Sequence, residues 1–404
     1  MEDLRNEGAF QELMSRQSSD RPLEQPFYGD PAIYERERER IFLNHWHFVG
    51  HHSQIPEPGD YFVFEMDREA AILVRGDDAK IRALVNVCRH RGSRLCREKL
   101  GRTRQFVCPY HGWTYNLDGS LARAWDMPKD FDKDSYGLHR IGCEVFQGLI
   151  FINFGRGHAN GAFNSARENL EESLRPFDLA STKVAHSEVC VIRGNWKLAV
   201  ENYCECYHCA PAHPEYAASH SLKLPAARRI AIEQDLAGRA QAAGICVAPV
   251  GNLERARLEG EIEFYYDRYA LFDGYVTGSE DGKPLAPLLG SLSEWDRGAS
   301  NVELGRLTYL LIYSDHCVVY RFTPRAPQET DFEIVWLVRG DAEEGKDYDL
   351  ERLIWLWHVT TLADKDIIER NQQGVNSSFY RPGPYAPMET FCNDFMAWYL
   401  DAVR

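Results

Sequence analysis

Two short pairs of cysteine and histidine, separated by 17 residues, constrain the fold of this chain more than any other feature. The first pair is Cys88 and His90, and the second pair is Cys108 and His111. A four-ligand metal site forms only if both pairs meet, so the chain must fold two loops against each other. Runs rich in β-branched and aromatic residues surround the pairs and alternate with turn-forming residues. The pattern predicts a small all-β sandwich or barrel in this part of the chain.

Two kinds of metal group are compatible with these four residues. Structural zinc takes Cys and His ligands, but zinc fingers place two Cys together and two His together. Here each pair combines one Cys with one His, which suits a [2Fe–2S] cluster with one iron on two thiolates and the other on two imidazoles. Neutral imidazoles raise the potential of such a cluster above that of an all-thiolate cluster. Cys96, between the loops, is interpreted as a buried thiol and not as a ligand.

A second cluster lies in residues 201–213, which hold two histidines, two carboxylates and three thiols. His208 and His213 are separated by four residues and match the two imidazoles of a 2-His-1-carboxylate site for Fe(II). They would not face the same way on an unbroken helix, so Pro211 is expected to break the helix and return His213 to the metal.

Three cysteines, Cys204, Cys206 and Cys209, surround His208. A thiolate metal site is the alternative interpretation of this stretch. We favour small residues that pack near the iron, because His208 is already assigned and thiolates select other metals.

Bulk properties narrow the function further. A chain of 404 residues predicts two domains or three. The net charge of -15 argues against binding to nucleic acid or anionic membranes and is compatible with a cationic ligand. The eleven cysteines come without an apolar signal segment at the start, so we expect a reducing cytoplasm. No run reaches the length of a membrane span, and no Gly-rich dinucleotide fingerprint is present.

The chain is expected to contain three parts: a helical segment over residues 1–45 that packs on the catalytic domain, a β domain over 46–155, and a catalytic domain over 156–404. The Gly- and Asn-containing break at 155–161 marks the boundary. Helices are expected at 31–46, 165–175 and 348–373, and a hairpin at 317–338. Residues 1–22 show little pattern, and residues 250–305 are expected to form an extended irregular excursion.

The motifs resemble those of a known family. Cys88-Arg-His90-Arg-Gly and Cys108-Pro-Tyr-His111-Gly-Trp-Thr-Tyr resemble the Rieske motif of non-haem iron oxygenase α-subunits. The run from Glu201 to the His213-Pro pair resembles the catalytic iron motif of the same family. The resemblance implies an α+β protein with an N-terminal all-β Rieske [2Fe–2S] domain and a C-terminal catalytic domain, in which helices cover an antiparallel sheet. It also implies a mononuclear Fe(II) and O₂ as co-substrate.

The resemblance supplies the third iron ligand as well. In the family this carboxylate comes from the long C-terminal helix, and the segment around Asp364 resembles that helix. Asp364 stands five residues before Glu369, as the family's ligand stands before its glutamate. Asp366 is the alternative, since a shift of two residues along the helix would exchange the two.

Glu205 is expected to connect the two metal centres. In ring-hydroxylating dioxygenases of this family, an Asp three residues before the first iron histidine hydrogen-bonds that histidine and a Rieske histidine of the neighbouring subunit. This chain has Glu205 at that position, and His111 is its expected partner across the boundary. Asn202, in the same run, is the other candidate catalytic residue. The family's head-to-tail arrangement implies a homotrimer.

The substrate class follows from the same stretch. The run from Asn202 to Cys209, and a later run at 281–290, resemble the branch of the family that acts on glycine betaine, proline betaine (stachydrine) and carnitine. The resemblance implies an O₂-dependent monooxygenase that hydroxylates an N-methyl group, so that the product collapses to formaldehyde and the demethylated amine. NAD(P)H and flavin would belong to a separate reductase.

Two other functions are compatible with these motifs. One is an aromatic ring-hydroxylating dioxygenase α-subunit, and another is a Rieske electron carrier without a second metal. Aromatic faces bind quaternary ammonium groups. The candidate aromatic residues are Tyr203, Phe264, Tyr265, Tyr266, Tyr269, Phe272 and Tyr275.

Overall fold

Runs of branched and aromatic residues form the strands of the first of two structural units. The computed structural model describes residues 3–155, 161–220, 226–253 and 261–404. One unit comprises Trp46–Asn160, and the other comprises Met1–His45 with Gly161–Arg404. The strands of the first unit are β1 (His47–His51), β2 (Asp60–Met66), β3 (Glu69–Arg75), β4 (Ile81–Val85), β5 (Leu100–Arg102), β6 (Phe106–Val107), β7 (Thr114–Tyr115), β8 (Leu121–Arg123), β9 (Arg140–Phe146) and β10 (Leu149–Asn153).

Two antiparallel sheets build this unit within the described residues. The larger has the order β1-β10-β9-β4-β3-β2-β5, and the smaller has the order β6-β7-β8. Buried side chains from both sheets form one core, which includes Ile72, Leu84, Phe106 and Tyr115. Cys88 and Cys108 belong to the same core. The hydrophobic packing that folds this unit therefore also brings the two predicted ligand loops together.

In its described residues, the second unit combines one large sheet with helices. Its helices are α1 (Glu7–Ser15), α2 (Pro31–Glu37), α3 (Asn164–Leu174), α4 (Trp196–Tyr203), α5 (Cys209–Ala212), α6 (Pro214–His220), α7 (Ala226–Ala242), α8 (Leu350–Val375) and α9 (Thr390–Ala402). Its strands are β11 (Thr182–Ile192), β12 (Val250–Gly251), β13 (Phe264–Ala270), β14 (Gly298–Leu304), β15 (Thr308–Ile312), β16 (Cys317–Ala326) and β17 (Glu329–Arg339).

The sheet of the second unit is antiparallel throughout its described strands, in the order β11-β17-β16-β15-β14-β13-β12. Helix α4 packs against β16, β17 and α8, and α8 packs against β11. An all-β N-terminal domain followed by an antiparallel sheet with packed helices confirms the predicted α+β fold class. Among the described residues, no helix is both long enough and apolar enough to cross a membrane.

A buried ionic network holds α4 in place. The Glu37 carboxylate accepts hydrogen bonds from Lys197 Nζ at 2.5 Å, Trp196 Nε1 at 2.9 Å and the Tyr399 hydroxyl at 2.6 Å. Glu37 and Lys197 are both fully buried. Because these residues lie on α2, α4 and α9, the network ties together three helices that are distant in sequence.

Several expectations about local structure were wrong. The helix expected at 31–46 is α-helical only to Glu37 and continues as a π-type turn, Arg38–Phe42. Residues 1–22, where no pattern was found, contain α1. The long helix α7 was not predicted at all. The boundary expected at 155–161 falls largely on residues 156–160, which lie outside the described residues.

The expected irregular excursion at 250–305 was also wrong. Strands β12, β13 and β14 lie within it and complete one edge of the sheet; residues 254–260 lie outside the described part. Polar residues in β13 obscured the strand pattern. Arg268 of β13 is fully buried because its guanidinium pairs with Asp296 at 2.6 Å.

Candidate active site

The chain turns twice around the two histidines of the second cluster. Helix α4 begins after Asn195, whose side chain accepts a hydrogen bond from the Lys197 amide at 3.0 Å. It ends at Tyr203, and the residues before α5 form a turn that carries His208.

The expectation that Pro211 breaks the helix was wrong, because Pro211 lies inside the first turn of α5. Proline is accepted there, since the first turn of a helix lacks partners for its N–H groups anyway. His213 has φ -125° and ψ 75°, and Pro214 after it begins α6. A proline disfavours helical geometry at the preceding residue, so Pro214 sets the turn at His213.

These turns bring both imidazoles to the carboxylate of Asp364 on α8. His213 Nε2 lies 2.9 Å from Asp364 Oδ1, and His208 Nε2 lies 3.2 Å from the same oxygen. One potential ligand atom from each residue lies within 4.8 Å of the others, the spacing needed to hold one metal ion. Asp366, the alternative, is 61% exposed and pairs with Arg370 at 2.9 Å. The geometry therefore favours Asp364.

The electrostatics of this trio suit a cation at its centre. Burial opposes the charge on His208, but hydrogen bonds to Asp364 and Glu205 outweigh it and raise the pKa of His208 to about 9. Burial also opposes the charge on Asp364, and the two histidines nevertheless hold its pKa below the usual value. Two imidazoles and one carboxylate are the donor set of non-haem Fe(II) sites with open positions. The residues present therefore fit the implied iron.

Glu205 orients His208 from the side away from Asp364. Its Oε1 lies 2.5 Å from His208 Nδ1, and its Oε2 accepts from the His208 amide at 3.1 Å and from the Tyr207 amide. A carboxylate on the second ring nitrogen fixes the tautomer, so that Nε2 faces the metal position. Asn202 Nδ2 lies 3.4 Å from His208 Nε2, at the edge of the same site.

A cavity of about 390 Å³ opens beside the trio. Aromatic side chains form much of its wall, among them Tyr203, Tyr216, Tyr269, Phe272, Tyr320 and Trp357. Three of these were candidates from the sequence. Two other candidates, Phe264 and Tyr266, are buried on the opposite side of β13. The other three wall residues carried no recognisable signal in the sequence; they are Tyr216 on α6, Tyr320 on β16 and Trp357 on α8.

The cysteines around His208 differ from the expectation. Cys206 and Cys209 form a disulfide, with their Cα atoms 4.9 Å apart, whereas Cys204 is a free thiol beside the Tyr309 hydroxyl. The turn that carries His208 brings the two sulfurs together. They were expected to behave only as small packing residues, and the bond was not predicted.

The first cluster lies on two loops of the same design. In each loop, the glycine four residues after the cysteine donates its N–H back to the cysteine carbonyl. Gly92 bonds to Cys88 O at 2.9 Å, with φ 76°. Gly112 bonds to Cys108 O at 3.0 Å, with φ 69°. A positive φ is readily available only to glycine, which explains the glycine in both motifs.

The side chains of the two loops are arranged as a Rieske cluster would need. Cys88 and Cys108 are buried, at 2% exposure each, whereas His90 and His111 are exposed. The two imidazole rings lie 4.6 Å apart. The Tyr115 hydroxyl lies 3.3 Å from Cys88 Sγ, in reach of a hydrogen bond to a cluster thiolate. Two sulfurs inside and two imidazoles outside match the two unlike irons of such a cluster.

These two centres together define a class of protein, the oxygenases in which a Rieske cluster supplies electrons to a non-haem iron. Residues 45–133 match the Rieske [2Fe-2S] domain, and residues 179–404 match the catalytic domain of the ring-hydroxylating α-subunits. The chain belongs to this family of Rieske oxygenase α-subunits. Its membership confirms the predicted enzyme class and its cofactors, a [2Fe–2S] cluster and a non-haem iron, and it makes the chain an oxygenase component served by a reductase.

Curated relatives cover nearly the whole chain. The glycine betaine monooxygenase oxygenase subunit of Chromohalobacter salexigens is 36% identical over 98% of this chain and 88% of its own length. The glycine betaine monooxygenase oxygenase subunit of Pseudomonas aeruginosa is 34% identical over 94% and 88%. Among solved structures, a quaternary ammonium Rieske monooxygenase matches with a TM-score of 0.73 at 23% identity, over 97% of this chain and 98% of that one. The last similarity concerns the fold alone.

Proposed function

We propose that this chain is the oxygenase component of a monooxygenase that removes an N-methyl group from a betaine, such as glycine betaine or proline betaine. The observation that carries the proposal is the composition of the cavity wall beside His208, His213 and Asp364. Aromatic and acidic side chains line it, and no Lys or Arg is present among its described lining residues. Aromatic faces and nearby negative charge are what a quaternary ammonium group needs for binding.

The curated relatives support the same substrate class. The two glycine betaine monooxygenase subunits align with at least 94% of this chain. A carnitine monooxygenase oxygenase subunit of Acinetobacter pittii is 36% identical over 48% of the chain. These names describe the relatives, and the aromatic wall is the independent reason to extend the class to this protein.

The proposed reaction inserts one oxygen atom of O₂ into an N-methyl C–H bond. The other oxygen atom leaves as water, with two electrons from the reductase and two protons. The hydroxymethyl product then breaks its C–N bond, releasing formaldehyde, a proton and the demethylated amine. Iron held by His208, His213 and Asp364 would supply the activation of O₂.

The remaining roles belong to the protein's own residues. The aromatic wall holds the ammonium group with one methyl toward the iron position, and the buried site keeps water away. Glu205 holds His208 in the tautomer that exposes Nε2. In the Rieske domain we assign Cys88, His90, Cys108 and His111 as the cluster ligands.

Electron transfer is proposed to cross between subunits. Glu205 would accept a hydrogen bond from His111 of a neighbouring copy while holding its own His208, in a head-to-tail homotrimer. The proposed compartment is the cytoplasm, because the cluster needs its thiolates reduced before assembly.

A substrate panel tests the proposed function. The purified holoenzyme, a surrogate reductase and NADH would be supplied with glycine betaine, proline betaine, carnitine and benzoate. We expect formaldehyde from at least one of the first two betaines, in step with O₂ consumption, and none from the Asp364→Ala variant. A hydroxylated ring from benzoate, without formaldehyde from any betaine, would instead identify an aromatic ring-hydroxylating enzyme.

A further inference from the structure

One strand face beside the cavity carries a carboxylate between two tyrosines. Along β13 the buried residues alternate with partly exposed ones, and the latter are Tyr265, Asp267 and Tyr269. Asp267 and Tyr269 line the cavity, and the Tyr265 ring packs against Phe391 of the cavity wall at 5.1 Å. Residues two apart on a strand share one face, so these three side chains form a continuous strip.

One oxygen of the Asp267 carboxylate is available to interact with a ligand. Asn301 lies directly opposite Asp267 on β14, and the Asn301 amide favours the charged form of the carboxylate. The Asp267 Oδ1 is nevertheless buried and has no hydrogen-bond partner among the described residues. A buried carboxylate oxygen without a partner is costly, and a bound cation would relieve that cost.

The surroundings of Asp267 contain no compensating positive charge within the described cavity wall. Helix α7 packs against β13 and contributes Glu233, whose Oε1 lies 3.3 Å from the Ala270 amide. On the other side, the neutral Tyr216 side chain lies next to Tyr269 in the cavity wall. The groups that face Asp267 are therefore acidic or neutral: Glu233, Asn301, Tyr265 and Tyr269.

We infer that Asp267 is the counter-charge that selects a cationic substrate, with Tyr269 as the aromatic face beside it in the cavity. The inference rests on the proposed function and names the residue that distinguishes an ammonium group from a neutral group of the same shape. Asp267 is a binding residue here, and it takes no part in the steps at the iron.

The protonation of Asp267 adds a pH dependence. Burial raises the pKa of Asp267 to about 6, the nearby Glu233 reinforces the shift, and the Asn301 amide opposes it. The carboxylate is charged above this pKa and neutral below it. The preference for cations should therefore be present above about pH 6 and decline as the pH falls below it.

Paired ligands test the inference. Glycine betaine and 3,3-dimethylbutanoate have the same shape and the same carboxylate, but the second replaces the charged nitrogen by carbon. Their dissociation constants would be measured by calorimetry on the anaerobic holoenzyme at pH 7.5 and pH 5.5. We expect Asp267→Asn to raise the dissociation constant of glycine betaine by about tenfold or more. The dissociation constant of the carbon analogue should change by less than about twofold. The pH dependence of the preference should disappear in the same variant.

Asp235→Asn is the matched control, because Asp235 is an exposed residue of α7 that does not line the cavity. It makes the same change in net charge and should leave both constants unaltered. The inference would be overturned if Asp267→Asn weakened the binding of both ligands equally or left both dissociation constants unchanged. Formaldehyde release by the wild type would still support the proposed function in that case. A wild-type enzyme that neither binds nor demethylates any quaternary ammonium compound would overturn both.

Discussion

Glu205 uses its two carboxylate oxygens for different tasks. One oxygen holds the His208 ring, and the other holds backbone amides of the turn on which His208 lies. The residue therefore positions an imidazole both directly and through the local backbone. Its side chain is only 13% exposed, so a lost contact there is not readily replaced by bulk water.

Replacement of Glu205 should separate metal binding from turnover. We expect Glu205→Ala to retain both metal centres and to lose about 100-fold in product formation, the upper end of the range for loss of a partner that orients a metal-bound histidine. Iron content, the visible spectrum of the cluster and formaldehyde release would be compared. Wild-type turnover in this variant would contradict the assigned role, and Glu205→Gln separates the need for charge from the need for a hydrogen bond.

Asp364 and Asp366 offer a test of the iron site itself. A binuclear cluster and a facial triad together require about three irons per chain. We expect Asp364→Ala to contain about two, because only the cluster remains. Asp366→Ala is the control and should keep about three, since Asp366 faces Arg370 and solvent. Two irons in the wild type would instead support an electron carrier.

His220 gives the fold an acid sensitivity of its own. It is buried between Ser219 and the Tyr313 hydroxyl, at 2.7 Å and 2.8 Å, and burial lowers the pKa of His220 to about 3. The unfolded chain takes up this proton near pH 6.5 and the folded chain does not. The contribution of neutral His220 to the free energy of unfolding is therefore fully present above pH 6.5, and it falls as the pH drops from 6.5 toward 3.

The contribution of His220 to that loss can be measured. From pH 7.5 to pH 5, it should lower the free energy of unfolding by about 2 kcal/mol. Urea unfolding at both pH values would be compared between the wild type and His220→Gln. Between the two pH values, the free energy of unfolding should fall less in the variant than in the wild type, by this amount. An equal fall in both proteins would refute the assignment.

At the level of helices and strands, a substitution in the buried Glu37 network tests how α4 is held in place. Removal of Glu37 leaves the Lys197 ammonium buried without its counter-charge. We expect Glu37→Ala to lower the free energy of unfolding by about 3–5 kcal/mol, measured by chemical denaturation. Glu39→Ala, an exposed change close by in sequence, should stay within about 0.5 kcal/mol of the wild type. A similar value for both variants would mean that the network contributes no stability.

Strands and helices with a strong apolar pattern could be predicted from the sequence. The hairpin of β16 and β17 and the long helix α8 were found because their branched or periodic residues face a core. Strand β13 was missed, since its buried Arg268 is explained only by Asp296, which lies 28 residues further along the chain. A local pattern contains no information about such a partner.

Part of the candidate site could be predicted from residue spacing together with the resemblance to a known family. The Cys/His pairs and His208 with His213 were recognised from short motifs. The choice between Asp364 and Asp366 needed the helix orientation, because residues two apart on a helix point about 200° apart. The Cys206–Cys209 bond and Asp267 depended on how a turn closes and which way a strand faces, and neither follows from composition.

For the whole molecule, the proposed arrangement of subunits predicts complementation between two inactive variants. Cys108→Ala should lack the cluster, and Asp364→Ala should lack the mononuclear iron, so neither should turn over alone. If electrons cross between neighbouring copies, co-expressed oligomers that contain both chains should regain formaldehyde release. Tandem affinity tags would isolate mixed oligomers, and their inactivity would contradict transfer between subunits.

The distance along the chain between the proposed iron ligands has a consequence for biosynthesis. Asp364 follows His213 by 151 residues and lies on the last long helix. A nascent chain still short of α8 can offer the metal only its two histidines. Iron loading must therefore wait until α8 has emerged from the ribosome, whereas both cysteine loops of the Rieske domain are complete by His111. Prematurely terminated chains would carry an electron donor with no acceptor.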